Sequence, residues 1–152
     1  MKNYLFLLLF ILSSCGGYTP IYSEKKINFY FNKVNTEENN LANNKILKKM
    51  SNFRVNKNNQ IPVDINLESF FKKEVTSKDK KKNPNSFKIT LNVKVNIKEK
   101  NNKTFDLKYA ENFNYSKSDR SEFELIQYEE VIMNNLINST FDKLIRDIVS
   151  RI

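Results

Sequence analysis

Histidine is absent from this 152-residue chain and cysteine occurs once, at position 15. Without histidine the chain lacks the commonest zinc ligand and the side chain whose ordinary charge changes near neutral pH, so neither a catalytic metal site nor a Ser-His-Asp triad is expected. A single cysteine closes no disulfide within the chain, and the fold must rest on packing. Two glycines and three prolines form no linker that would split the sequence, and no internal repeat is visible, so one domain is expected. The acidic residues offer no catalytic constellation. Glu129 and Glu130 are adjacent and point apart on a helix, while Asp142 and Asp147 have no orienting base. An enzyme is not expected, and an envelope hydrolase is the weakest of the readings considered.

The N-terminal apolar run, Tyr4 to Leu12, follows the basic residue Lys2 and is too short to span a bilayer. Small residues Ser13 and Ser14 then lead directly into Cys15. This order reads as a bacterial lipoprotein signal peptide, residues 1–14, cut before a cysteine that takes a diacylglycerol thioether and an N-acyl chain. Each buried methylene adds about 0.8 kcal/mol of membrane affinity, so two or three chains hold the protein firmly where one would not. Residues 15–25 are expected to be a lipidated tether and residues 26–152 a single α+β domain. No aspartate follows Cys15 as an inner-membrane retention signal, which favours the inner leaflet of the outer membrane, on its periplasmic side. Apart from the covalent lipid, no cofactor is expected.

Lysine and arginine number 26 against 17 acidic residues, a formal charge of +9. An exported chain does not normally meet nucleic acid, so this charge suits anionic headgroups, acidic glycolipid or an acidic protein. The richness in Asn, Lys and Ile expected from an AT-rich genome explains part of the excess.

Hydrophobic periodicity gives the elements. Ile27, Phe29 and Phe31 alternate with polar residues as in a half-buried strand. Leu41, Ile46, Leu47, Met50 and Phe53 fall near helical spacing, predicting a helix within Thr36 to Phe53, capped by Thr36 or Asn39. Ile61, Val63, Ile65 and Leu67 predict a second strand, extending toward Phe71 and Val75, with Pro62 at its start. The six apolar residues from Phe87 to Ile97 alternate with Lys88, Thr90, Asn92, Lys94, Asn96 and Lys98, and a turn near Asn101 and Asn102 leads to a partner strand from Phe105 to Tyr115. Ser121 and Glu124 have capping-box spacing. Beyond Ser121, Phe123, Ile126, Val131, Leu136, Phe141, Leu144, Ile145, Ile148, Val149 and Ile152 predict a long amphipathic helix. The order β-α-β-β-β-α implies a two-layer sandwich, two helices on one face of a roughly four-stranded sheet.

Cys15-Gly16-Gly17-Tyr18-Thr19-Pro20-Ile21-Tyr22, the lipobox and this element order resemble the lipopolysaccharide-assembly lipoprotein family, LptE. Members begin with Cys-Gly, an aromatic residue, a variable position, Pro, an aliphatic residue and often Tyr; here one extra glycine intervenes. Phe113-Asn114-Tyr115 and the stretch from Ser118 to Glu124 also look like that family's last strand and the opening of its last helix. The final helix has few of the alanines common in relatives. The resemblance implies a non-enzymatic subunit that sits within the LptD outer-membrane barrel, helps it assemble and contacts lipopolysaccharide. A free-standing lipid-anchored periplasmic protein that binds lipid or another envelope component is the alternative.

Two basic clusters are candidate lipopolysaccharide sites. Lys72, Lys73, Lys78, Lys80, Lys81 and Lys82 are expected in the connection between the second and third strands, where lysine's compact charge suits phosphates. Lys88, Lys94 and Lys98 share one face of the third strand and form an expected basic stripe. Tyr18, Tyr22, Tyr30, Tyr109 and Tyr115 are candidate contacts to a barrel wall, through an apolar body and a polar tip.

Overall fold

The computed structural model describes residues 27–54, 60–101, 103–117 and 120–152. Cys15 and its signal, the tether, Tyr18, Tyr22, Asn102 and Ser118 lie outside the described residues. Four strands form one sheet in the order β1-β2-β3-β4: β1 (Phe29–Thr36), β2 (Ile61–Lys78), β3 (Pro84–Glu99) and β4 (Thr104–Ser116). Helix α1 (Leu41–Met50) runs into a 3-10 turn (Ser51–Phe53), and α2 (Glu122–Arg151) is the last element. The predicted α+β architecture and element order are observed.

The sheet is mixed. β1 pairs parallel with β2, because α1 carries the chain back across the helix layer, while β2-β3 and β3-β4 are antiparallel hairpins. In β3, alternation places Phe87, Ile89, Leu91, Val93, Val95 and Ile97 on one buried face. Val63, Ile65 and Leu67 of β2 and Phe29 and Phe31 of β1 join that face, and both helices cover it with Ile46, Met50, Ile137, Leu144, Ile145 and Ile148 among others. The other face carries the polar residues.

Several boundaries move from their predicted places. A bulge between Phe31 and Lys33 shifts the phase of β1, so its next inward apolar residue is Val34 and the strand continues to Thr36. Thr36 is therefore strand. Asn40, not Thr36 or Asn39, caps α1, its side chain accepting from the Asn43 N–H at 2.9 Å. β2 is longer than its apolar pattern, reaching Lys78, because β3 pairs with it along nearly its whole length.

On α2 the capping box forms as predicted, with the Ser121 side chain accepting from the Glu124 N–H and the Glu124 carboxylate accepting from the Ser121 N–H. The buried stripe of α2 differs from the predicted one. Ile132, Leu136, Ile137, Thr140, Phe141, Leu144, Ile145 and Ile148 face the sheet, whereas Phe123, Ile126, Val131 and Val149 are exposed. Among the described residues no helix is long and apolar enough to cross a membrane.

Candidate functional site

Register fixes two ends of the molecule. The start of β1, the β3-β4 turn and the C-terminus of α2 lie at one end, where Arg151 stands 5.2 Å from the Phe105 ring. The β2-β3 turn and the first turns of α2 lie at the other, joined by Glu129 to Lys73 and Tyr115. At about 3.3 Å per residue the β2 strand spans roughly 60 Å, so the two ends are well separated.

The β2-β3 turn is built around Asp79. Its carboxylate accepts from the N–H groups of Lys81 and Asn83, each at 2.8 Å, and the Lys82 N–H donates to the Asp79 carbonyl at 3.0 Å. These bonds, the Asn83 N–H first, hold the Asp79 carboxyl below the usual carboxylate range. Lys82 closes the turn with φ +66°, a left-handed conformation that favours glycine. The turn holds Lys80, Lys81 and Lys82 out in solvent.

Of the six lysines predicted in this connection, only Lys80, Lys81 and Lys82 occupy the turn; Lys72, Lys73 and Lys78 are on β2 itself. The reason is the extension of the β2-β3 ladder to Lys78 and Pro84. Lys73 faces the helix layer, where it donates to Glu129 at 2.6 Å and lies 4.6 Å from the Phe87 ring centroid. Lys72 pairs with Glu74 at 2.9 Å, and this lysine holds the Glu74 carboxyl below its ordinary value. Among the described residues Lys78, Lys80, Lys81 and Lys82 form no ion pair.

Behind the turn a cleft of about 610 Å³ opens between the hairpin and α2, lined by Lys73, Pro84, Phe87, Lys117, Leu125 and Ile126 among others. In the first turns of α2 Phe123 is 68% and Ile126, which lines this cleft, is 66% exposed, the largest exposures among the large hydrophobic residues described. Arg120 stacks on Tyr128 at 4.3 Å. This end thus combines apolar surface with solvated cations. The sequence pattern assigns Phe123 and Ile126 to the apolar face of the helix; each stands about five full turns before a core residue, Phe141 and Leu144 respectively, so helical phase does not separate them from the core.

The predicted stripe of Lys88, Lys94 and Lys98 does share one face, but each lysine stands opposite an acidic residue of β2: Glu74, Glu68 and Asp64 respectively. Lys94 pairs with Glu68 at 3.0 Å. The face is charge-matched instead of uniformly basic. Tyr115 is buried and donates to Glu129 at 2.6 Å, and Tyr109 donates to Asp147 at 2.6 Å. Burial, followed by these carboxylates, pushes both phenols above their ordinary pKa. Their hydroxyls are engaged within the domain, while Tyr30 lies at the start of β1.

No family model and no curated protein matches the chain. Solved structures do. The fold is similar to rare lipoprotein B from Shewanella oneidensis, with a TM-score of 0.60 at 10% identity over 80% of this chain and 94% of that one. It is also similar to a minor lipoprotein from Acinetobacter baumannii, with a TM-score of 0.57 at 10% identity over 82% and 92% of the two chains. An uncharacterized lipoprotein B from Nitrosomonas europaea has a TM-score of 0.56 at 11% identity, over 88% of this chain and 91% of that one. At these identities the likeness shows that the chain shares their fold.

Proposed function

We propose that this chain is the accessory lipoprotein of an outer-membrane lipopolysaccharide translocon. Anchored through Cys15 on the periplasmic side, it plugs an LptD-type barrel, assists its assembly and handles lipopolysaccharide during insertion. Its chemistry is binding, not bond making. The observation that carries this reading is the turn end of the molecule, where Asp79 and Asn83 of the turn that holds Lys80, Lys81 and Lys82 in solvent share a cleft with exposed Ile126 of α2. Cations suit the phosphates of a glycolipid, and apolar side chains suit its acyl chains or a partner surface. The fold shared with three bacterial lipoproteins supports the same reading.

Gentle detergent extraction of C-terminally tagged protein from its native envelope, followed by mass spectrometry, tests the partner. A large outer-membrane barrel recovered at equal stoichiometry is expected. Recovery of the lipoprotein alone, with its lipid anchor intact, would replace the translocon with a free-standing envelope binding protein.

A further inference from the structure

The outer face of the sheet is corrugated. Cross-strand register aligns Asn35, Asn66, Asn96 and Asp106 over all four strands. The row beside it contains the longer Glu68, Lys94 and Lys108. Short side chains beside long ones leave a trough, an open cavity of about 330 Å³ lined by these residues. At about 4.8 Å between strands, its floor runs for roughly 14 Å across the sheet.

The floor is organised by its own hydrogen bonds. Asn35 Nδ2 donates to Asn66 Oδ1 at 3.1 Å, and Asn96 Nδ2 donates to Asp106 Oδ1 at 2.8 Å. The Glu68–Lys94 pair stands along its wall. Asn66 retains its amide donors and Asn96 its carbonyl acceptor, so the floor offers both kinds of group in fixed planes. Further along the same face Phe70 is 42% exposed, opposite Asn92. Adjacent donor-acceptor hydroxyls and an apolar ring face are the chemistry of a sugar. A phosphate is served better by the solvated lysines of the turn, about 40 Å away along β2.

We propose that this trough binds the sugar chain of the envelope glycolipid, as a subsite separate from the lysines of the turn. This inference rests on the lipopolysaccharide reading above. The probe is polysaccharide released from the native lipopolysaccharide by mild acid and dephosphorylated, titrated into the full-length protein in detergent micelles. Binding is expected to shift the side-chain amide NMR signals of Asn66 and Asn96. The double variant N66A/N96A is expected to weaken binding about tenfold, the loss of one to two hydrogen bonds, with an unchanged circular dichroism spectrum. The variant K80E/K81E/K82E is expected to bind the free polysaccharide like the parent.

If intact glycolipid binds but the free polysaccharide leaves those signals unmoved, the trough proposal falls and the functional reading stands. If neither binds, both fall. If N66A/N96A keeps its polysaccharide affinity but no longer recovers the barrel, the face belongs to a protein partner and the proposal is overturned.

Discussion

Glu129 joins the two layers at the turn end, accepting from both Lys73 and Tyr115 through Oε1. Its side chain is 15% exposed, so removing it leaves the buried Tyr115 phenol without its acceptor, while the Lys73 side chain, 45% exposed, can turn to water. Glu129→Ala is expected to lower unfolding free energy by about 1–3 kcal/mol, measured by urea denaturation. The phenols supply a second readout. A folded-state pKa raised above the ordinary value contributes stability below about pH 10, and that stability is lost as pH rises through the folded value. Tyr115 and Tyr109 are therefore expected to ionise later than a free tyrosine in an absorbance titration, with Glu129→Gln moving Tyr115 downward.

At the scale of elements, legibility follows the regularity of the pattern. β3 is readable because its alternation is unbroken from Phe87 to Ile97. β1 is readable only to Phe31, since the bulge before Lys33 interrupts period two. The outer half of β2 has little apolar signal to read; Lys72 to Lys78 is strand because β3 supplies a partner. The start of α2 is legible in Ser121 and Glu124, although the solvent exposure of Phe123 and Ile126 is not. Of the candidate site, the turn lysines are legible as a charge run, whereas the trough depends on cross-strand register that no single strand encodes. Ser121→Ala is expected to cost about 1 kcal/mol and to speed amide exchange in the first turn. Glu124, whose carboxyl is lowered chiefly by the Ser121 N–H, stabilises this cap above the ordinary carboxylate pKa. That contribution is lost as pH falls through its folded value, so the first turn is expected to fray in acid before the rest of the helix.

For the molecule as a whole, net charge is less informative than where charge lacks a partner. Lys88 and Lys94 face Glu74 and Glu68 across the ladder, whereas Lys80, Lys81 and Lys82 project from a turn held by Asp79. Two charge reversals separate these environments. K88E/K94E sets carboxylates opposite Glu74 and Glu68; the clash with Glu68 is expected to cost about 0.2–1 kcal/mol in stability, with a small effect on lipopolysaccharide affinity. K80E/K81E/K82E touches exposed side chains and is expected to change stability by no more than about 0.5 kcal/mol. Its affinity for intact lipopolysaccharide is expected to fall at least about tenfold at low salt, with the difference from the parent narrowing as salt screens the interaction. Equal lipopolysaccharide affinity of the parent and K80E/K81E/K82E, measured from low to physiological salt, would remove the turn from the binding site.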